Sequence, residues 1–216
     1  FARTDPSAAG SRGISAFVLD GDQVEVVREE EKLGLHSSTT VEIRLDAVAV
    51  AQDRLLGEEG RGFPIAMATL DGGRIGVAAQ AVGIAQAALD VAVRYAGERV
   101  QFGRPIAEHQ AVQFTLADMA TQIAAARALT HQAARLKDAG LPHTVEGAQA
   151  KLFASRVAVE TTSSAIQVLG GVGYTRAYPA ERYYRDAKVT EIYEGTSEIQ
   201  RLVIARSLFG FERFVS

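Results

Sequence analysis

Glu194 is the side chain whose sequence context best suits it to act as a base. It lies in Tyr193-Glu194-Gly195-Thr196-Ser197-Glu198, directly after the segment Val189-Thr190-Glu191-Ile192. Apolar neighbours can desolvate a carboxylate and make it more basic. The glycine that follows has no side chain, so a substrate could approach the backbone there closely. This context predicts a general base at Glu194.

The same segment also has a purely structural interpretation. Ser197-Glu198-Ile199-Gln200 has the spacing of a capping box, in which the serine caps a helix and the glutamine reaches back to it. Helix caps are common, so these residues alone leave both interpretations open.

Two adjacent glycines interrupt a helical pattern in Leu70-Asp71-Gly72-Gly73-Arg74-Ile75. Each costs about 1 kcal/mol relative to alanine in a helix interior. We therefore expect another helix or a ligand to approach the backbone there. Arg74 could bind a carboxylate or a phosphate, or it could pair with Asp71 one turn away.

Two further segments could bind phosphate groups. Gln167-Val168-Leu169-Gly170-Gly171-Val172-Gly173-Tyr174 is a glycine-rich turn whose backbone N–H groups could hold a phosphate or an adenine edge. Its alternative role is a glycine C-cap. Arg99-Val100-Gln101-Phe102-Gly103-Arg104-Pro105-Ile106 carries two arginines that could bind a pyrophosphate. Its alternative role is a tight interhelical loop with solvated arginines.

Composition narrows the class of protein. The 216 residues are 47% hydrophobic and 23% charged, as in an ordinary globular chain, and the net charge of −3 argues against a nucleic-acid surface. There is no cysteine, which suits a cytoplasmic or other intracellular location. The four histidines are scattered, so we predict no metal site. We find no secretory signal and no apolar run near the ~20 residues that cross a bilayer.

The elements that must position these residues change character along the chain. Residues 1–56 have short β-type runs bounded by turns, at 13–19, 24–27 and 41–45. The remainder is alanine-rich, with helical periodicity at about 62–96, 108–137, 142–169, 179–186 and 197–208. We therefore predict an α+β, mainly α fold. A partial antiparallel β-barrel domain (1–56) precedes an up-down helical bundle (57–216).

Six segments, in order and spacing, resemble the acyl-CoA dehydrogenase family. They are Lys32 to Ser38, Leu55 to Phe63, Asp71 to Ile75, Arg99 to Gly103, Gln167 to Tyr174 and Ile192 to Arg201. The last two are very specific to the family. Within the family, the chain is most similar to the short-chain or butyryl-type enzymes.

The resemblance implies an FAD enzyme that desaturates a short-to-medium acyl-CoA thioester between Cα and Cβ, giving the trans-2-enoyl-CoA. Glu194 would remove the α-proton while a hydride passes to flavin N5. In the family, the backbone N–H of the catalytic glutamate helps to bind the thioester oxygen. One subgroup places its base at the position of Gly73, so the glycine here leaves Glu194 as the well-placed candidate.

The resemblance also implies the binding residues. Those for the substrate are Asp71, Gly72, Gly73, Arg74 and Gly195. Those for FAD are Arg99, Gln110, Gln167, Val168, Leu169, Gly170, Gly171, Thr196, Ser197 and Glu198. The last three lie at a helix N-terminus, where the macrodipole favours phosphate. The glycine-rich turn usually receives the ADP part of FAD from a neighbouring subunit, which implies a homo-oligomer, typically a tetramer. An electron-transfer flavoprotein would be the electron acceptor, and neither nucleic acid nor a membrane is an expected partner.

One feature departs from the family pattern. Family members normally begin with a helical domain and the first part of a β domain, and neither precedes Phe1 here. We expect the chain to be the C-terminal portion of such an enzyme, and to bind FAD poorly or not at all by itself. Two alternatives stay open: an acyl-CoA oxidase-like enzyme that uses oxygen, and a helical assembly fragment without catalysis.

Overall fold

Five α-helices account for most of the chain, as the alanine-rich periodicity predicts. They are α1 (Gly62–Glu98), α2 (Gln110–Asp138), α3 (Thr144–Leu169), α4 (Ala180–Lys188) and α5 (Ser197–Phe209). The computed structural model describes residues 1–210, which divide into a unit of residues 1–70 and a helical unit from residue 71 onward. The predicted fold class, mainly helical with small antiparallel sheets, is confirmed.

The N-terminal unit holds two small antiparallel sheets. One has three strands in the order β1 (Ala2–Arg3), β2 (Ile14–Phe17) and β5 (Leu55–Leu56). The other is a ribbon of β3 (Glu25–Glu29) and β4 (Val41–Arg44), in which all nine residues are exposed. Sheets this small and open need a cover for independent stability.

Small residues let the long helices approach each other in the helical unit. On α1 the fully buried alanines follow three-four spacing at Ala78, Ala81, Ala85, Ala88 and Ala92. They join one core with Met119 and Ile123 of α2 and with Ala154, Val157 and Ala158 of α3. α3 also packs against α4 and α5, so it is the central helix of the unit.

Apolar spacing predicts a buried face of α1 made of Ile75, Ala79, Val82, Leu89 and Val93, and this prediction is wrong at two positions. Ile75, Val82 and Leu89 are buried as expected, but Ala79 is exposed and Val93 is 49% exposed. Alanine occurs on several sides of this helix, so apolar spacing alone did not define which stripe faces the core.

α1 is also long and apolar enough to cross a bilayer by length and composition, which the sequence reading did not anticipate. Its most apolar window has a mean hydropathy of 1.5, and half of that window is buried inside the protein. A core helix of a bundle has these same properties, and the alanine stripe of α1 belongs to the core of the helical unit.

The connection between α1 and α2 is a tight hairpin rather than an irregular loop. Strands β6 (Val100–Gln101) and β7 (Arg104–Pro105) pair antiparallel around Phe102 and Gly103, which have φ of 53° and 81°. Two positive φ values in succession are the signature of a two-residue hairpin turn. The turn leaves the Phe102 side chain 94% exposed.

Candidate active site

The carboxylate of Glu194 lies against the backbone of α1 at Gly73. A Cβ added to Gly73 would come within 2.8 Å of the Glu194 carboxyl carbon, and closer still to Oε2. Only glycine leaves room for the carboxylate here. The approach to the backbone that the glycine pair predicts is therefore made by Glu194, across the helical unit.

Glu194 is half-buried, and one oxygen of its carboxylate is enclosed without a hydrogen-bond partner. Glu194 Oε2 is buried and makes no hydrogen bond within the described chain. Arg74 is 5% exposed, and its Nε is likewise buried without a partner. Buried polar atoms are nearly always paired, so each of these two atoms could take a partner from a bound molecule or a water.

Glu194 and Gly195 form a left-handed turn between the preceding 3-10 turn and α5. Their φ values are 55° and 87°, a conformation that is costly for a non-glycine residue. The turn points its carbonyl oxygens inward, where Gln200 Nε2 donates to Glu194 O at 3.2 Å and to Gly195 O at 2.8 Å. A side chain at position 195 would clash with the Gln200 amide.

Lys151 is a second, charged donor to this turn. Its Nζ donates to Gly195 O at 2.7 Å, and its side chain is fully buried on α3. The pKa of Lys151 is lowered to about 8, mainly because the side chain is buried; Glu191, Glu194 and Glu198 oppose this shift, and Arg74 contributes to it. Sequence reasoning missed this residue. The available signal was a lysine between Ala150 and Ala154 on the helix face that builds the core.

The substrate candidates on α1 are tied together by an ion pair. Arg74 Nη1 donates to Asp71 Oδ1 at 2.6 Å, which is the one-turn pairing that the sequence left open. The other oxygen, Asp71 Oδ2, accepts from Thr144 Oγ1 at the start of α3. Gly72 faces Lys137 Nζ of α2 instead of Glu194.

The capping-box interpretation of Ser197 to Gln200 is wrong. The N-cap of α5 is Thr196, whose Oγ1 accepts from the Ile199 N–H at 3.5 Å. Gln200 does not reach back to Ser197, because its amide is engaged with the carbonyls of the Glu194–Gly195 turn. The glutamine therefore supports the candidate base and not the helix start.

The N-terminus of α5 opens into a cavity that suits a phosphate. Its volume is ≈ 230 Å³, and it is lined by Thr196, Ser197 and Glu198 together with the cations Lys188 and Arg201. These cations are paired locally with Glu191 and Glu198. Because both cations are already paired, the helix N-terminus is the feature of this cavity that would favour a phosphate.

The other predicted cofactor residues lie apart from Glu194 within one chain. Arg99 and Gln110 are exposed at the two ends of the hairpin connection, and Gln167, Gly170 and Gly171 are exposed at the end of α3. Leu169 is 3% exposed in the core, so only its backbone could face a cofactor. Gly170 has φ of 64° and caps α3, which confirms the C-cap role without excluding a second one. In the described residues, no hydrogen bond or ion pair joins these groups to the Glu194 turn.

Known proteins resemble this chain in sequence and in fold. The sequence model of the acyl-CoA dehydrogenase C-terminal domain matches residues 60–209. The mitochondrial short-chain specific acyl-CoA dehydrogenase of Bos taurus is 54% identical over 96% of this chain. The structure of butyryl-CoA dehydrogenase from Megasphaera elsdenii superposes with a TM-score of 0.95, at 51% identity over 96% of this chain.

A third match is a chain in a structure that concerns the electron transferring flavoprotein of Acidaminococcus fermentans and flavin-based electron bifurcation. It superposes with a TM-score of 0.93 at 55% identity, over 96% of this chain and 55% of that one. The chain spans about half the length of the relatives it matches, namely 51% of the bovine protein and 55% of the butyryl-CoA dehydrogenase structure. Over that half, the likeness is continuous from the β strands to α5. The chain belongs to the acyl-CoA dehydrogenase family.

Proposed function

We propose that the full-length protein oxidises a short-to-medium acyl-CoA thioester to the trans-2-enoyl-CoA, with Glu194 as the base and FAD as cofactor. The observation that supports the proposal is the position of the Glu194 carboxylate: it lies against Gly73, and its Oε2 is buried without a hydrogen-bond partner. A carboxylate in that state is ready to accept a proton from a bound molecule. The residues 1–56 would be the end of a β domain and 57–216 the C-terminal helical domain.

Proton removal follows from the surroundings of the turn. Glu194 takes the α-proton, and the electron pair left at Cα must be stabilised toward the thioester oxygen. No hydrogen bond within residues 1–210 uses the Glu194 backbone N–H as donor, so this group is free to bind that oxygen. FAD, when bound, supplies the acceptor for the hydride that leaves Cβ. The α-proton is then on Glu194, and the two electrons have left with the hydride. Cα and Cβ are joined by a double bond.

We assign the base to Glu194 because α1 offers no other free carboxylate at this position. The helix position that faces its carboxylate is Gly73, which has no side chain. Asp71, the nearest carboxylate of α1 along the chain, is engaged with Arg74 and Thr144. We assign the Asp71–Arg74 pair to the CoA end of the substrate, and we propose that Gly72 and Gly195 contact the substrate through their backbones.

Binding of FAD would use residues from more than one subunit. Thr196, Ser197 and Glu198 line the cavity at α5, whereas Arg99, Gln110 and the turn from Gln167 to Gly171 make no hydrogen bond or ion pair to the Glu194 turn in the described chain. We propose that the separated groups serve the FAD of a neighbouring copy, in a homotetramer. The likeness to the chain from the electron transferring flavoprotein study favours such a flavoprotein as electron acceptor.

The test is anaerobic addition of butyryl-CoA to the purified full-length protein. Bleaching of the flavin absorbance, with formation of crotonyl-CoA, is the expected result. A full-length protein that holds FAD and stays oxidised with acyl-CoA of every chain length would refute the proposal. Peroxide formed stoichiometrically in air would favour the oxidase-like alternative, and a colourless tetramer of the 216-residue chain would favour the assembly fragment.

A further inference from the structure

Lys151 is the one fully buried charged side chain among residues 1–210 that the proposed chemistry does not use. It lies in the middle of α3, and its Nζ reaches Gly195 O, the carbonyl next to the candidate base. Removing an ammonium group from water is costly, so its retention in a core of alanines requires a compensating role. Resting on the proposed function, we infer that Lys151 is a positioning residue that holds the Glu194–Gly195 turn in its reactive conformation.

The turn needs such a restraint because it is conformationally unfavourable. Glu194 has a left-handed φ of 55°, which costs on the order of 1 kcal/mol or more unless the surroundings enforce it. Side chains of α3 and α5 hold the backbone of the turn through the inward carbonyls of Glu194 and Gly195. If the turn relaxed to an ordinary conformation, the side chain and the N–H of Glu194 would both point elsewhere.

Gln200 and Lys151 hold the turn from two different helices. The Gln200 amide comes from α5, directly after the turn, and donates to both carbonyls. Lys151 comes from α3 and donates only to Gly195 O. A neutral donor already satisfies that carbonyl, so hydrogen bonding alone does not explain a lysine there. What lysine adds is a link to the central helix and a positive charge.

That charge is surrounded by the ionisable groups of the site. Glu194 and Arg74 face it from the turn and from α1, Glu191 from the 3-10 turn before Glu194, and Glu198 from the first turn of α5. Lys151 therefore ties the turn to α3 and places a positive charge among these groups.

The test compares Lys151→Met, which removes donor and charge, with Lys151→Gln, which keeps a donor without charge. Thr162→Val is the matched control, because Thr162 is also fully buried on α3 but bonds only its own helix at Ala158 O. Each full-length holoenzyme is mixed with butyryl-CoA, and the first-order rate of flavin reduction is measured across pH 6 to 10. The dissociation constant of crotonyl-CoA is measured in parallel.

We expect the reduction rate to fall at least tenfold in Lys151→Met and by a smaller factor in Lys151→Gln, while FAD content and crotonyl-CoA affinity stay within about twofold. In the wild type the rate should decline above about pH 8, where the ammonium is lost, and both variants should lack that decline. Thr162→Val should match the wild type in rate and pH profile.

The outcomes separate this inference from the proposed function. If the wild type is not reduced at all, the proposed function fails. If the wild type is reduced and Lys151→Met is reduced at the same rate with the same pH profile, only the role of Lys151 fails. If Lys151→Met does not fold, the pH profiles of the reduction rate are compared between the wild type and Lys151→Gln. A decline above about pH 8 that persists in Lys151→Gln overturns the inference, and loss of that decline supports it.

Discussion

The Glu194 carboxylate occupies the space that a side chain at Gly73 would fill. The contact joins residues 121 positions apart in the chain, one inside a 37-residue helix and the other in a left-handed turn. It explains the glycine at position 73 in the interior of α1, next to Gly72, which faces Lys137 instead. The helix gives up some stability at this point so that a carboxylate can lie on its backbone.

Gly73→Ala should impair the reaction without unfolding the protein. The new methyl group would overlap the Glu194 carboxyl, which is the end of a flexible side chain and can move away. A displaced base should lower the rate of flavin reduction by about 10- to 100-fold, since small misplacements of a catalytic group cost factors of this size. Stopped-flow reduction by butyryl-CoA measures it.

Gly83→Ala is the control for that substitution. It lies on the same helix, with no atom within 4 Å of the added Cβ. Alanine has a higher helix propensity than glycine, so both substitutions should add up to about 1 kcal/mol of stability and raise the thermal midpoint. Only Gly73→Ala should slow flavin reduction. Equal rates in the two variants would show that Glu194 does not need the space over Gly73.

The Asp71–Arg74 pair should be important for stability. The Arg74 side chain is 6% exposed and that of Asp71 is 23% exposed, so Asp71→Ala would leave a buried guanidinium without its carboxylate. We expect a loss of about 3 kcal/mol, seen as a lower urea midpoint for the full-length protein. Thr144→Val, which removes only the hydroxyl donor to Asp71, should cost about 1 kcal/mol. If Asp71→Ala and Thr144→Val cause equally small losses of stability, the Asp71–Arg74 ion pair is not a structural link.

The stability of the protein should depend on pH through Lys151 in a defined direction. Burial lowers the pKa of Lys151 from 10.5 to about 8, so between these values the unfolded chain binds a proton that the folded chain does not. Stability from this group therefore rises with pH through that window and is lowest below about pH 8.

Lys151→Met isolates that contribution. The thermal midpoint of the wild type relative to Lys151→Met should rise between pH 8 and 10.5, by the equivalent of at most about 3 kcal/mol. Differential scanning fluorimetry of the two proteins in matched buffers gives the comparison. A difference that is flat with pH, or that falls, would show that the lysine is not desolvated as described.

Arg99 should contribute to FAD retention through its charge. It is exposed directly after α1 and makes no ion pair in the described chain. Arg99→Ala would remove a charge-assisted hydrogen bond to a phosphate of FAD. It should therefore weaken binding of FAD to the apoprotein by about 10- to 100-fold. Arg94→Ala, five residues earlier and also exposed, is the control and should change FAD affinity by less than about twofold. Quenching of FAD fluorescence measures both.

Local sequence signals predicted the helices well because each signal acts locally. Three-four spacing of apolar residues set the extents of α2 and α3, and Gly140 and Gly170 end them with φ values of 68° and 64°. The glycine pair at 72–73 correctly predicted a close approach to the backbone, but only the folded chain shows that Glu194 makes it.

The features of the site that the sequence could not predict depend on contacts between elements that are far apart in the chain. Ser197 to Gln200 fits a capping box locally, yet Gln200 is drawn to the carbonyls of the Glu194–Gly195 turn because those groups are buried and must be paired. Lys151 is an ordinary helical residue by type and spacing. Its role follows only from the packing of α3 under the turn, which brings residues 44 positions apart within 2.7 Å.

The central claim is that Glu194 removes the α-proton, and its most direct test is anaerobic reduction of the full-length Glu194→Gln holoenzyme by butyryl-CoA. Glutamine keeps the size and the backbone of the turn but cannot accept a proton, so we expect bound FAD and crotonyl-CoA affinity to be retained and the flavin reduction rate to fall by at least 1,000-fold, on the order of a lost catalytic base. A variant that is bleached at the wild-type rate would contradict the account.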